Sequence, residues 1–227
     1  GIQDFNPEVL KIVNREMPGM PVKDIMDYLK KDDPEVAINL DFIYGLPKQT
    51  PESFAWAIKQ AVELKPDRLV TFSYAHVPWV SKIQKKLEKA GIPGGEDKMK
   101  MFDEGFKLLS KNGYRAIGLD HFALENDELT LAYDNKTLHR NFQGYCTTRT
   151  TGQVYALGVT AISQLNGVYA QNTKSIAEYI DAANKGEIPV IKGYKLNDEQ
   201  RIVREVITEF MCNEQVVWDE IGARYSK

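Results

Sequence analysis

Residues 36–44, Val-Ala-Ile-Asn-Leu-Asp-Phe-Ile-Tyr, carry apolar side chains at both odd and even positions. Successive strand residues point to opposite faces, so such a strand buries both and needs other elements packed over it. Residues 69–75 and 116–122 repeat the feature. Helical patterns fill the intervals. Asn6 reads as an N-cap with Pro7 at the first helical position, and Val22, Ile25, Met26 and Leu29 recur at helical spacing. Thr50-Pro51-Glu52 opens a helix bearing Phe54, Ala57, Ile58, Ala61 and Val62, and further helices are expected over 80–89 and 98–112, the last ended by Gly113. Strands alternating with helices predict right-handed βαβ units and a parallel α/β sheet. Neither a Gly-x-Gly-x-x-Gly turn nor a Gly-x-x-x-x-Gly-Lys loop follows any of the strands, which argues against Rossmann and P-loop nucleotide binding. A barrel-type sheet, with its reactive groups at the strand C-termini, is the better expectation.

The pattern changes after residue 123, and a domain change is expected near 124–135. Residues 128–133 suit a short helix, 138–151 are polar and aromatic with no period, and 157–162 read as a strand or a tight small-residue turn. Two helices follow, one over 175–184 and one capped by Asn197 with Gln200 three residues on, reaching about Cys212. Gly1-Ile-Gln-Asp-Phe5 reads as the tail of a strand already under way, and residues 218–227 close no clear element. The chain is therefore expected to be a piece of a longer one, with an exposed strand edge at residues 1–5 that invites self-association.

Composition narrows the partners. With 29 Lys+Arg against 32 Asp+Glu, a net charge of −3, the 227 residues are not a strongly basic nucleic-acid binder, so no nucleic acid is expected. No run approaches the ~20 apolar residues of a membrane span. Two cysteines, Cys146 and Cys212, cannot build a disulfide framework, so a reducing cytoplasm is the expected compartment.

Polar residues gather where the strands end: Gln3, Asp41, Tyr74 with His76, and Asp120 with His121. Parallel strands end at one rim, so these groups should converge there, with Arg15 one helix after Gln3 offering a guanidinium fork to a carboxylate. Such a rim suits a zwitterionic ligand that also carries hydroxyls. The plainer alternative is that Asp41 simply pairs with Arg15, because buried charges are normally paired. His76, His121 and His139 lack metal-ligand spacing, and satisfied polar or core histidines are favoured for each. No Gly-x-Ser-x-Gly elbow is present. Arg140-Asn-Phe-Gln-Gly-Tyr145 packs a fork donor, two amides and two aromatics into six residues. It is either a loop docking one domain on the other or a loop closing over a large acidic ring ligand.

Several segments, taken in order, resemble one family. They are Gly1-Ile-Gln-Asp-Phe-Asn6, Val13-Asn-Arg15, Asp41-Phe-Ile-Tyr-Gly-Leu-Pro-Lys-Gln-Thr-Pro-Glu-Ser-Phe54, Pro66-Asp-Arg68, Tyr74-Ala-His76, Asp120-His-Phe-Ala123, His139-Arg-Asn-Phe-Gln-Gly-Tyr145, Leu157-Gly-Val-Thr-Ala-Ile-Ser163 and Tyr169-Ala-Gln-Asn172. They resemble the bacterial oxygen-independent coproporphyrinogen III oxidases, radical S-adenosylmethionine (SAM) enzymes of haem synthesis. The resemblance implies the later βα units of a partial (β/α) TIM-like barrel over 1–123, a connecting and active-site loop region over 124–174, and the start of a mainly helical C-terminal domain over 175–227. It implies oxidative decarboxylation of two propionates of coproporphyrinogen III to vinyls, giving protoporphyrinogen IX, through a 5′-deoxyadenosyl radical and with an electron donor. The family's [4Fe–4S] cluster is held by a Cys-x-x-x-Cys-x-x-Cys run. That run is absent here, so no metal ligand is assigned and the chain alone is expected to be inactive.

Carried over by position, the resemblance implies Gln3, Arg15, Asp41 and Ala75 for one SAM and Ile162 for another, with Phe142 and Gln143 in a loop near the active centre. His121 and Arg140 are expected porphyrinogen contacts on charge and placement. Around residues 146–151 the chain departs from the family pattern by about one inserted residue. Two other readings stay open: a radical-SAM-like haem chaperone, whose members usually lack the 139–145 motif, and an inert structural domain whose polar groups satisfy one another.

Overall fold

A computed structural model describes residues 1–80, 84–147 and 153–225. The chain divides into two compact units, Gly1–Leu131 and Ala132–Lys227.

The first unit begins with α1 (Pro7–Ile12), α2 (Val22–Leu29), β1 (Asn39–Tyr44), α3 (Pro51–Glu63) and β2 (Arg68–Ser73). It continues with α4 (Gln84–Glu88), α5 (Gly95–Lys111), β3 (Tyr114–Gly118), β4 (His121–Leu124) and α6 (Glu128–Asp134), which runs past the division between the units. The caps form where the sequence places them. The Asn6 side chain accepts from the Glu8 amide at 2.9 Å, and Thr50 and Ser53 form a reciprocal capping box at the start of α3. The helix expected over 80–89 is shorter, beginning at Gln84, and its residues 81–83 lie outside the described residues. The helix expected from 98 starts at Gly95.

The sheet order is β1-β2-β4-β3. β1 and β2 are parallel, joined through α3, as the alternation requires. The third strand is not what the apolar run predicts. Residues 116–122 are split: the chain reverses after Gly118, and β4 returns antiparallel to both β3 and β2, with a bulge between Ala116 and Gly118. A tight turn at Leu119-Asp120 inside an apolar run reads as continuous strand until its pairing is known. The sheet is therefore mixed, not wholly parallel.

The segment at residues 1–5 is also not a regular strand. It forms one parallel bridge, Gln3 to Phe42, and Gln3 has φ 65°, which turns the backbone out of the ladder. The segment expected to end a strand thus joins β1 through a single bridge. Leu40, Phe42, Leu69 and Phe122 project from one sheet face into a core with Met26, Phe54, Ile58, Met101 and Leu109 of the helices.

The second unit holds β5 (Leu138–Asn141), β6 (Gly144–Thr147), β7 (Ile162–Leu165), β8 (Val168–Asn172), α7 (Ile176–Asn184), β9 (Val190–Lys195), α8 (Asp198–Asn213) and α9 (Trp218–Tyr225). Helix α8 carries the Asn197–Gln200 capping box that its sequence predicts. The stretch expected to lack a period forms the β5–β6 hairpin, with Phe142 and Gln143 as its two-residue turn. Of the family departure at 146–151, Cys146 and Thr147 end β6 and residues 148–151 lie outside the described residues. The expected strand over 157–162 contributes only Ile162 to β7, because Gly158 (φ 98°) and Thr160 (φ 62°) bend the chain before it. Residues 218–225, which suggested no element, are helix α9. Strands β7, β8 and β9 form an antiparallel sheet.

Candidate functional site

Strand periodicity sets the site in the first unit. Leu40 and Phe42 point at the helices, so Asp41 between them points to the opposite face. In register, Asp41 stands beside Val70 and Val70 beside His121. Asp41 and His121 therefore lie in one row of the sheet face opposite Leu40 and Phe42, two strands and roughly 10 Å apart. The expected meeting place was the rim at the strand ends. Asp41 instead lies within β1, in the same cross-strand row as His121 with Val70 between them.

Gln3 joins Asp41 through the backbone. The amides of Ile2 and Gln3 donate to the Asp41 carbonyl at 2.9 and 2.8 Å, and the Gln3 carbonyl accepts from the Ile43 amide at 2.9 Å. Their side chains share one spot. A β-carbon on Gly1 would collide with Gln3 Nε2 and stand 3.2 Å from Asp41 Oδ2. Asp41 Oδ1 accepts from Asn39 Nδ2 at 2.6 Å. Arg15 is exposed at the end of α1, and among the described residues it makes no ion pair with Asp41 or any other carboxylate. The Asp41–Arg15 pairing is thus absent.

Past the end of β2, the exposed Ala75 accepts through its carbonyl from Gln84 Nε2 at 3.3 Å. Next to it, Tyr74 Oη lies 3.4 Å from His76 Nδ1, and His76 Nε2 lies 2.9 Å from Glu88 Oε1. That engages both His76 nitrogens. His121 Nδ1 lies 2.7 Å from Asp120 Oδ1, and its ring stands edge-on to Phe72 at 6.3 Å, so carboxylate and ring together set the imidazole orientation.

A polar pair that the sequence reading did not single out supports this region. Asp4 (1% exposed) and Gln49 (4% exposed) meet through Gln49 Nε2 donating to Asp4 Oδ2 at 2.6 Å. Gln49 Nε2 also donates to the Ile43 carbonyl at 2.9 Å, and its Oε1 accepts from the Leu46 amide at 2.8 Å. Burial raises the Asp4 pKa above its usual value, against lowering by the bonds from Gln49, Asn6 and Phe5. One buried amide thereby ties residues 1–5 to the loop after β1. The available signal was two polar residues inside the family-like segments, Asp4 next to Gln3 and Gln49 after Pro47.

In the second unit, the hairpin brings Arg140 opposite Tyr145, with the guanidinium 5.5 Å from the ring centroid. The Tyr145 hydroxyl donates to the Met211 carbonyl of α8 at 3.0 Å. At the hairpin tip, the Phe142 amide donates to Gln164 Oε1 of β7 at 3.2 Å and the Gln143 amide to Asn141 Oδ1 at 2.8 Å. The Phe142 and Gln143 side chains are exposed there, and Ile162 begins the strand that Gln164 belongs to. Arg140, Phe142 and Gln164 line a groove of about 310 Å³. Arg204 and Tyr169, which the sequence reading passed over, line it too, because α8 and β8 close its other sides.

His139 has its pKa lowered by burial and by Arg204, which favours the neutral imidazole. The Cys212 thiol is pushed up to about 12 by burial and stays protonated at neutral pH. Among the described residues no group of three His, Cys, Asp or Glu side chains is placed to hold a metal. None of the helices described is long and apolar enough to cross a membrane.

Comparisons with known proteins agree on one family name. A Synechocystis protein named oxygen-independent coproporphyrinogen III oxidase is 38% identical over 226 residues, covering 100% of this chain and 48% of the relative. The Escherichia coli protein of that name is 40% identical over 213 residues, or 94% of this chain and 46% of the relative. The solved E. coli coproporphyrinogen III oxidase, a radical SAM enzyme, superposes with a TM-score of 0.87 at 39% identity, covering 100% of this chain and 52% of that one. The chain spans about half the length of the curated relatives it matches. No protein-family model matches it.

Proposed function

From a chain homologous along its whole length to oxygen-independent coproporphyrinogen III oxidases, we propose that it forms part of a radical SAM oxidoreductase that converts two propionates of coproporphyrinogen III to vinyls. The observation that carries this reading is the 38–40% identity maintained from one end of the chain to the other. The first unit then contributes later βα units of a partial barrel, and the second leads into a mainly helical C-terminal domain.

Gln3 and Asp41 suit SAM. An amide donor and a carboxylate acceptor lie side by side, Asp41 on the sheet face opposite Leu40 and Phe42, and Arg15 offers a guanidinium without an ion pair among the described residues for the carboxylate of the ligand. Ala75, exposed past the end of β2, is assigned to the same SAM by the family resemblance, and Ile162 to a second SAM. The iron–sulfur cluster does not fit this chain, whose two cysteines cannot supply three thiolates. Its ligands belong to a part of the protein outside these residues, since the relatives are about twice this length. SAM, when bound, would supply the radical chemistry that acts on the propionate. This chain's residues bind and orient: His121, held by Asp120, faces the same side as Asp41, while Arg140, Phe142 and Gln143 contact the tetrapyrrole. The chain by itself is expected to give no turnover.

Equilibrium dialysis with labelled SAM tests the cofactor part. Wild-type chain should bind, and Asp41→Ala and Gln3→Ala should each weaken binding about tenfold, the scale of one charge-assisted hydrogen bond. Equal affinity in all three removes the assignment. For the reaction, a protein of the relatives' full length, given coproporphyrinogen III, SAM and a reductant, should form vinyl groups. Haem transfer without vinyl formation would favour the chaperone reading.

A further inference from the structure

The groove of the second unit has an unbalanced charge. Arg140 and Arg204 both line it, and among the described residues neither guanidinium has a carboxylate within ion-pair distance. The acids of α8 that could have served, Glu205 and Glu209, are paired with Arg224 of α9. Arg140 Nε is buried with no hydrogen-bond partner, which is costly unless a ligand completes it. Apolar surface stands beside the two cations: Val203 is 51% exposed, Ile207 54% and Phe142 48%. Exposed aliphatic and aromatic side chains next to two unpaired guanidinium forks match a flat apolar body bearing separate carboxylates.

We infer that this groove binds, through Arg140 and Arg204, the two propionate carboxylates of the tetrapyrrole that survive the reaction. The inference rests on the proposed function, which supplies the ring. Coproporphyrinogen III has four propionates, and two leave as carbon dioxide. An anchor built on a carboxylate that leaves would release the ring during the reaction, whereas one built on the retained pair keeps the same grip on substrate, intermediate and product. The opposed wall of α8 and the β5–β6 hairpin supplies one arginine each, so the two carboxylates are held at separate points and the ring orientation is fixed.

Fluorescence titration of the chain with three porphyrins tests this. Coproporphyrin III carries all four propionates, deuteroporphyrin IX carries only the retained kind, and coproporphyrin III tetramethyl ester carries no free carboxylate. Wild type should bind the first two comparably and the ester at least tenfold more weakly. Arg204→Gln and Arg140→Gln should each weaken both acids about tenfold and leave the ester unchanged, while Arg204→Lys should restore part of the loss. An unchanged thermal midpoint in Arg204→Gln separates lost binding from lost folding. If both acids bind and neither substitution matters, the groove assignment fails and the porphyrin reading stands. If the substitutions weaken coproporphyrin III alone, the arginines hold the reacting propionates and the inference is overturned. If wild type binds none of the three porphyrins, the porphyrin reading itself falls.

Discussion

Replacing Gln49 with Met keeps nearly the same volume and removes every polar contact of the amide. Asp4 loses its 2.6 Å bond, the Ile43 carbonyl loses a 2.9 Å bond, and the Leu46 amide loses its 2.8 Å acceptor. A hydrogen bond to a charged group contributes about 1.5–3 kcal/mol, and a buried amide left without a partner costs about 1–3 kcal/mol. Gln49→Met should therefore destabilise the first unit by about 3–4 kcal/mol, a large part of the roughly 5–15 kcal/mol that ordinary folds have. At about 2–4 °C per kcal/mol for a chain of this size, the thermal midpoint should fall by about 10 °C.

The loss should also depend on pH, with a definite sign. The bond from Gln49 is the largest influence holding the Asp4 pKa down against burial. Removing it raises the folded-state pKa further. A carboxyl whose folded pKa exceeds its unfolded value stabilises the fold below the unfolded value, and that contribution is lost as pH rises through the folded pKa. The destabilisation should thus be larger at pH 7 than at pH 5, because lowering the pH favours the protonated Asp4 that the variant's burial prefers. Paired thermal melts of wild type and variant at the two pH values, followed by fluorescence of Trp56 in α3, measure this. A loss under about 1 kcal/mol, or one that does not shrink toward pH 5, would refute the view that Gln49 serves to solvate a buried carboxylate.

Three further outcomes follow from the same geometry. Arg68 donates from Nε to Asp127 and from Nη2 to Glu128, each at 2.8 Å, and Asp127 is only 4% exposed at its side chain; Arg68→Gln should cost about 2–3 kcal/mol in urea titrations, because a buried carboxylate loses its counter-charge. Gly45 sits at φ 82° with its α-carbon against the Lys98 stem, where a β-carbon would stand 2.7 Å from Lys98 Cε; Gly45→Ala should cost roughly 1–2 kcal/mol for the left-handed backbone, and Lys98→Ala should recover only the part due to contact. Arg204→Gln should raise the His139 pKa toward 6.5, read from imidazole proton shifts in NMR. In the wild type that lowered pKa gives stability above the unfolded value of 6.5 that is lost as pH falls through the folded pKa, and the variant should lose it over a narrower span.

What the sequence determined by itself was local or inherited. The caps of α1, α3 and α8 were legible because each is a bond between side chain and backbone two or three residues apart. The parallel pair β1–β2 was legible because apolar side chains on both parities admit few other solutions. Family membership of the segments was legible because residue identity carries it directly. The fate of residues 116–122 was not, since their apolar content is the same whether they run on or turn back. The return of β4 along β2 is settled by pairing with residues some fifty positions earlier. The motif at 139–145 likewise looked irregular until Arg140 and Tyr145 were seen as cross-strand neighbours.

The candidate sites divide in the same way. Gln3, Asp41 and His121 could be named from their types and neighbours, but that Asp41 and His121 share a row is a fact of register between strands about eighty residues apart. Arg204 could not be singled out at all. On a helix it looks like one more solvated cation, and only the packing of α8 against the β5–β6 hairpin sets it beside Arg140 with no acid to neutralise either. Bonds spanning three residues are written in adjacent letters. Register, facing and charge balance are decided by which distant surfaces exclude water together, and that is a property of the folded chain alone.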